Sequence, residues 1–80
     1  MNERAKKWLE ENGYVDVHDL EFITFRNSKN GIDIWINGDG KWCAQLLRGN
    51  HFFDAVGYAT PRNAFNALVR FVREQNAAQA

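Results

Sequence analysis

The hydrophobic positions in the last third of the chain follow a helical period. Apolar residues recur there at spacings of three and four, which predicts one apolar stripe of an amphipathic helix. They are Ala64, Phe65, Leu68 and Val72, widened by Val69 and Phe71. Thr60 is a suitable N-cap, and Pro61 suits the first helical position because its missing N–H has no intrahelical role there. The pattern therefore predicts a capped helix over residues 60–75 and a frayed tail over residues 76–80.

The middle of the chain changes to the two-residue period of β-strands. Turn-forming Gly and Asn residues separate four strand patterns, and such short connections favour an antiparallel meander. The predicted strands cover residues 20–26, 32–37, 41–48 and 51–59. We expect the C-terminal helix to cover the face that carries two alternating rows of side chains. These rows are Ile32, Ile34 and Ile36, and Trp42, Ala44 and Leu46.

The first residues predict a short helix with a narrow apolar seam. Asn2 can cap it, and Gly13 suits the position that ends it. Its apolar residues are Ala5, Trp8 and Leu9. Residues 14–19 carry no clear period and are expected to connect this helix to the sheet. The whole chain of 80 residues is thus predicted to be one α+β domain, in the order α-β-β-β-β-α, with a helix over 1–13 and a sheet over 20–59.

The second face of the predicted sheet is less polar than an antiparallel sheet with one helical layer normally is. Alternation places five apolar or aromatic side chains there: Trp35, Leu47, Phe52, Val56 and Tyr58. Two structural interpretations are that the N-terminal helix packs on this face or that a bulge shifts the register. Two functional interpretations are that a second copy or another protein covers it, or that its aromatic residues stack on nucleic acid.

Composition and charge narrow the classes of function. Ten basic and ten acidic residues cancel, which argues against strong non-specific nucleic-acid binding through net charge. No apolar run approaches the roughly 20 residues of a membrane span, and the first residues lack the apolar core of a signal peptide. A single cysteine excludes an internal disulfide and suits a reducing compartment. We therefore expect a cytoplasmic protein without a membrane partner.

The residues that commonly carry chemistry are too few to predict a catalytic centre. Cys43 lies within a strand pattern and is expected to be a buried small side chain rather than a reactive thiol. His18 and His51 lack metal-ligand spacing, and His51 with Asp54 is expected to be a surface pair rather than a catalytic dyad. No phosphate loop or paired-carboxylate motif is present. We expect a protein that is not an enzyme and needs no cofactor or metal.

Two charged features have both a structural and a functional interpretation. A stripe of the C-terminal helix carries Arg62, Asn66, Arg70 and Arg73. It is either a solvated helix face or a surface that binds phosphates or carboxylates, as in nucleic-acid recognition. The second feature is an acidic segment with no Lys or Arg, which carries Glu10, Glu11, Asp16, Asp19 and Glu21. It is either solvated surface or a means of steering the protein toward a basic partner.

A resemblance to a known family lies in residues 32–72. Trp42-Cys-Ala-Gln-Leu, followed by Gly57-Tyr-Ala-Thr-Pro-Arg-Asn-Ala-Phe-Asn-Ala-Leu68, resembles the strand and turn-helix pattern of HicB-type antitoxins. That family implies a small domain related to the double-stranded-RNA-binding fold that binds a toxin protein. Arg48-Gly-Asn-His-Phe-Phe stands where the family has an acidic Leu-Pro-Gly segment. In size and style it also resembles small accessory proteins of phages, including anti-CRISPR proteins.

The function expected from these observations is binding to another protein as an inhibitor or antitoxin-like antagonist. A homodimer is a further possible assembly, and nucleic-acid binding through the Arg62, Asn66, Arg70 and Arg73 stripe is the alternative. The predicted protein-binding residues combine the second sheet face with part of the acidic segment. They are Trp35, Leu47, Phe52, Tyr58, Asp16, Asp19 and Glu21.

Overall fold

Two helices and five strands form in the part of the chain that the computed structural model describes, residues 3–17 and 22–79. In chain order they are α1 (Glu3–Glu11), β1 (Val15–Asp16), β2 (Ile23–Asn27), β3 (Ile32–Ile36), β4 (Trp42–Arg48), β5 (His51–Tyr58) and α2 (Pro61–Gln79). The α+β class and the order of the four long strands and two helices are confirmed. β1 is an addition, within a segment predicted to be a connector.

The five strands form one antiparallel meander in the order β1-β2-β3-β4-β5. Ile34 lies opposite Phe25 on one side and Ala44 on the other, so the predicted rows of β3 and β4 share a face. β5 occupies one edge of the sheet, and the two-residue β1 occupies the other. Of the two edge strands among the described residues, only β5 is long.

The hydrophobic core lies between one face of the sheet and both helices. α2 covers the predicted face of the sheet, but it packs mainly against β4 and β5 rather than over the predicted rows of β3 and β4, and α1 packs beside α2. Fully buried core residues come from α1, the sheet and α2: Leu9, Ile34, Ala44, Ala64 and Leu68. Trp8 of α1 lies between the ring of Tyr14, at 5.9 Å, and the ring of Phe65, at 5.8 Å, measured between centroids. Both helices consequently cover the same face.

The ends of both helices follow from local sequence. At the end of α1, the N–H of Gly13 donates to the carbonyl of Glu10 at 3.2 Å, and the N–H of Tyr14 donates to that of Leu9 at 2.9 Å. This is a Schellman motif, and Gly13 accommodates its positive φ of 83°. At the start of α2, the Asn63 N–H donates to the Thr60 hydroxyl oxygen at 3.0 Å, so the predicted N-cap is confirmed.

The bounds of several elements differ from the prediction. α2 continues to Gln79 rather than ending near residue 75, because Ala and Gln favour helix and no breaker follows Glu74. Phe71, predicted to widen the apolar stripe, is 37% exposed, whereas Ala67 is buried in its place. β1 was missed since two residues, Val15 and Asp16, are too few to show a period.

Candidate protein-binding surface

The side of the sheet opposite the helices, here called the outer face, has no helix on it among the described residues. The interpretation that the N-terminal helix covers this face is wrong, because α1 packs beside α2 on the other side of the sheet. Strand pairing and alternation place ten side chains of β2 to β5 there: Thr24, Arg26, Asp33, Trp35, Cys43, Gln45, Leu47, Phe52, Asp54 and Val56. Of these ten, Thr24 and Cys43 are buried, and the others are partly or largely exposed.

A bulge in β5 corrects the predicted position of Tyr58. Ala55 lies opposite Ala44 and Tyr58 lies opposite Trp42, so Val56 and Gly57 together face Cys43. The extra residue returns Tyr58 to the helix side, where it packs against the core. The prediction that Tyr58 shares a face with Trp35, Leu47 and Phe52 is wrong. Gly57, with a φ of 91°, supplies the conformation that the bulge requires.

Four apolar side chains of the outer face are largely exposed: Val15 of β1, at the far edge, and three on β4 and β5, which we call the outer patch, Leu47, Phe52 and Val56. Leu47 is 69% exposed, Phe52 59% and Val56 58%. Leu47 and Phe52 are cross-strand partners next to the β4–β5 turn. Val56 lies four residues further along β5, or about 14 Å from Phe52. Two apolar contact points are thus presented at the two ends of one strand.

A polar row separates these two points. Gln45 lies opposite Asp54, and Asp33 lies opposite both Gln45 and Arg26 in the same row. The Arg26 guanidinium donates to both Asp33 carboxylate oxygens, at 2.7 and 3.1 Å. Such a bidentate pair satisfies Asp33 within the sheet. Asp54 is exposed and makes no ion pair with a described residue, so it remains available to a partner.

Trp35 occupies the next row of the outer face, between Thr24 and Cys43. It is half-buried, and both of its neighbours are buried even though no described helix lies above them. Cys43 is 1% exposed, and the side-chain amide of Asn37 approaches its sulfur at 3.7 Å. The expectation of a buried cysteine is confirmed. Trp35 is consequently a flat, partly accessible part of the outer face.

The described residues of the predicted acidic segment do not join the outer face. Asp16 of β1 lies opposite Phe25, on the helix side of the sheet, and Glu11 pairs with Lys7 at 3.8 Å on α1. Asp19 and Glu21, together with His18, lie outside the described residues. The predicted protein-binding residues are therefore divided: Trp35, Leu47 and Phe52 share a surface, whereas Asp16 and Tyr58 lie on the opposite side of the sheet and the other two lie outside the described residues.

The four residues of the arginine stripe are all exposed on α2, but they have different neighbours. Arg62 shares a cleft with Arg4 of α1, and Arg73 shares another with Arg48 of β4. Asn66 and Arg70 lie beside Tyr58 at the edge of the sheet. None of these arginines makes an ion pair with a described residue. The three arginines of the stripe are therefore exposed positive charges spaced along α2.

The cleft between the two helices was not anticipated. It has a volume of about 190 Å³, with Trp8, Trp42 and Pro61 in its wall and Arg4 and Arg62 beside them. Nothing in the sequence links Arg4 to Arg62, because 57 residues separate them and only the packing of α1 beside α2 brings them together. Its volume is below that of typical small-molecule sites, which is about 300–1,000 Å³.

The remaining candidate groups stay apart. His51 lies opposite Arg48 on the helix side, whereas Asp54 lies on the outer face, so their expected surface pairing does not form. Within residues 3–17 and 22–79, no group of three or more His, Cys, Asp and Glu side chains could hold a metal ion. No helix in that part of the chain is long and apolar enough to cross a membrane.

In comparisons with known proteins, no family model, no curated protein and no solved structure matches this chain. The resemblance of residues 32–72 to HicB-type antitoxins stays a prediction.

Proposed function

We propose that this chain is a small protein-binding module of the cytoplasm, and that the outer face of its sheet is the binding surface. The observation that supports this proposal is the outer patch: Leu47, Phe52 and Val56 are each more than half exposed on a face that neither described helix covers. Apolar side chains grouped on one face of a small domain commonly mark an interface. The single buried cysteine suits the reducing compartment.

The arrangement of the outer face defines the chemistry of the partner. A complementary surface places one apolar side chain against Leu47 and Phe52 and a second against Val56 and Trp35. Between them it places a cation or hydrogen-bond donor opposite Asp54 and Gln45. Binding of this kind occludes part of the partner's surface, which is the action of an inhibitor or antitoxin-like antagonist, such as a phage or mobile-element accessory protein.

The test uses a variant that alters the outer patch without touching the core. The double substitution Leu47→Ser and Phe52→Ser removes two exposed apolar side chains. Phe71→Ser on α2 is the matched control, because Phe71 is also an exposed aromatic residue but lies on another surface. Each tagged protein is used to capture partners from the cells that produce it, and the affinity of the purified partner is then measured.

We expect the double variant to weaken binding at least tenfold, since truncation of central apolar contacts costs about 2 kcal/mol or more. The Phe71→Ser control should retain wild-type affinity. Unchanged affinity of the double variant, with its free energy of unfolding preserved, contradicts the proposal.

Nucleic-acid binding is the second candidate, and one observation favours it. The packing of the helices adds Arg4 to Arg62, and the sheet adds Arg48 to Arg73, so five arginines including Arg70 lie along or beside α2 without ion pairs to described residues. Arginine contacts to phosphates release counterions, so affinity should fall steeply as salt concentration rises. The absence of binding to RNA and DNA at low salt eliminates this candidate, and Arg70→Gln with Arg73→Gln should weaken any binding observed.

A further inference from the structure

β5 is an edge strand whose outward backbone groups have no hydrogen-bond partner among the described residues. It is eight residues long and contains neither Pro nor Lys, two residues that natural proteins place on edges to prevent strand pairing. β1, at the other edge, has only two residues. β5 is therefore the edge that is suited to pairing with another strand.

We propose that β5 pairs antiparallel with β5 of a second copy of this chain, about a two-fold axis that passes through Asp54. An axis perpendicular to the sheet keeps the helices of both copies on one side. Residues paired across such an axis lie on the same face of the sheet. The axis must therefore lie midway between the two copies of one residue, and we name each axis by that residue. This inference stands independently of the proposed function, because the outer face can bind a partner in a monomer or a dimer.

The bulge limits the choice of axis. It ends regular pairing at Val56, so the pairable stretch is 51–56, and axes through Phe53 or Asp54 each use five residues of it. With the axis at Asp54, Phe52 of each copy lies opposite Val56 of the other, and Phe53 lies opposite Ala55. Aromatic and β-branched side chains in such cross-strand pairs stabilise a sheet.

The alternative axis through Phe53 is less favourable. It places Phe52 of each copy opposite Asp54 of the other and leaves Val56 outside the paired stretch. Of the two arrangements, only the axis at Asp54 covers both exposed apolar residues of β5 with apolar residues. The self-complementary order of Phe52, Asp54 and Val56 is thus the reason that the occupant is a second copy.

The helical layer leaves room for this arrangement. α2 packs against both β4 and β5. Strands are about 4.8 Å apart, so a helix centred over these two strands lies about 5 Å from the axis and about 10 Å from its copy, which is a normal interhelical distance. The flank of α2 at this edge carries Asn63, Asn66 and Arg70, whose side chains would form a polar contact between the two helices.

Pairing has two consequences for the outer face. It joins two five-stranded sheets into one sheet of ten strands with an outer patch from each copy. It also places the two Asp54 carboxylates opposite each other, and like charges directly opposite weaken an antiparallel pair. Removing this charge should therefore strengthen the dimer, whereas removing Phe52 and Val56 should weaken it.

Cysteine cross-linking tests the position of the axis. In Asp54→Cys, the two new thiols lie on the axis, within the distance of about 4.4–6.8 Å between Cα atoms that a disulfide requires. In the matched control Gln45→Cys, which leaves the contact residues of β5 unchanged, the two cysteines are three strand spacings, or about 14 Å, apart. The native Cys43 is buried, so the wild-type chain shows the background reaction. We expect Asp54→Cys to form a disulfide-linked dimer much faster than Gln45→Cys and wild type, and equal rates overturn the proposal.

Sedimentation over a concentration series supplies a test without cysteine. We expect Asp54→Asn to lower the dimer dissociation constant about two- to fivefold relative to wild type. Phe52→Ser with Val56→Ser should be monomeric at concentrations where wild type associates. If wild type and Asp54→Asn both remain monomeric up to about 1 mM, the proposal is overturned, while partner binding by the monomer stays separately testable.

Discussion

Tyr58 lies opposite Trp42 in the ladder between β5 and β4. Three residues of β5 lead from Ala55 to Tyr58, whereas only two residues of β4 lead from Ala44 to Trp42. This mismatch is the bulge, and it sends Tyr58 into the core while Val56 stays on the outer face. Without it, Tyr58 would add an aromatic ring to the outer face. The bulge therefore decides which residues of β5 belong to the core and which to the candidate interface.

Substitution of Gly57 tests the bulge. A Cβ atom at Gly57 meets nothing within 4 Å, but its φ of 91° is unfavourable for any other residue type. We expect Gly57→Ala to lower the free energy of unfolding by about 1–2 kcal/mol through backbone strain alone. Gly38→Ala is the matched control, because Gly38 has equally open surroundings and no positive φ. Urea denaturation of both variants should show a loss only for Gly57→Ala, and equal effects would contradict this explanation.

Asn27 connects three segments through one buried side chain. Its Nδ2 donates to the carbonyl of Asn12 at 2.9 Å, and its Oδ1 accepts the N–H groups of Lys29 at 2.8 Å and Asn30 at 3.3 Å. We expect Asn27→Ala to lower the free energy of unfolding by about 2–3 kcal/mol, because it leaves backbone groups without partners. Asn30→Ala, which removes a single part-buried bond from the Ile32 N–H, should cost about 1 kcal/mol. Similar losses in both variants would refute the connecting role of Asn27.

The Tyr14 hydroxyl is buried without a hydrogen-bond partner among the described residues. Burial raises the pKa of Tyr14 above its usual value of 10.0. The Asn30 side chain lowers this pKa, and the negative charge of Asp33 raises it further. The folded state therefore holds this proton more tightly than the unfolded state, so this contribution to stability is complete below pH 10 and is lost as the pH rises through the folded-state pKa.

Tyr14→Phe should remove that pH dependence. At pH 7 we expect unchanged or slightly increased stability, because the substitution deletes an unpaired buried hydroxyl. Above pH 10, wild type should lose stability more steeply than the variant, and chemical denaturation at several alkaline pH values measures the difference. Parallel curves for the two proteins would show that Tyr14 does not titrate differently on folding.

Thr60 caps the start of α2, the helix that packs on the sheet. Thr60→Ala removes the bond from the Asn63 N–H, and we expect a loss of about 1 kcal/mol. For a domain of this size, that loss corresponds to a decrease of about 4–8 °C in Tm. Thr60→Ser keeps the hydroxyl and should restore most of the stability, so a Ser variant as unstable as the Ala variant would contradict the capping role.

Periodic segments were predictable from sequence, whereas features that depend on packing were not. The stripe of Ala64, Leu68 and Val72 and the rows of β3 and β4 follow from repeated spacing, and the core confirms them. Gly57 within a strand pattern is a known sign of a bulge. The prediction used strict alternation without a bulge and therefore assigned Tyr58 to the wrong face. The proximity of Arg4 and Arg62 depends on how α1 packs beside α2, which no local pattern encodes.

The outer face was only partly predictable for the same reason. Trp35, Leu47 and Phe52 were placed correctly because β3, β4 and the first half of β5 alternate regularly. Whether α1 would cover them depended on whether it packs on the outer face or beside α2 on the other face of the sheet. The core offers Trp8 the rings of Tyr14 and Phe65, which the outer face does not.

Carbene footprinting tests the central claim, that the outer face is open in the free protein and covered in its working complex. The purified chain at low concentration and the chain in an extract of the cells that make it are labelled in parallel. We predict strong labelling of Leu47, Phe52 and Val56 in the purified protein and protection in the extract, with Phe71 labelled equally in both. Protection of the outer patch in the purified monomer, or equal labelling of the patch in both samples, would contradict the account.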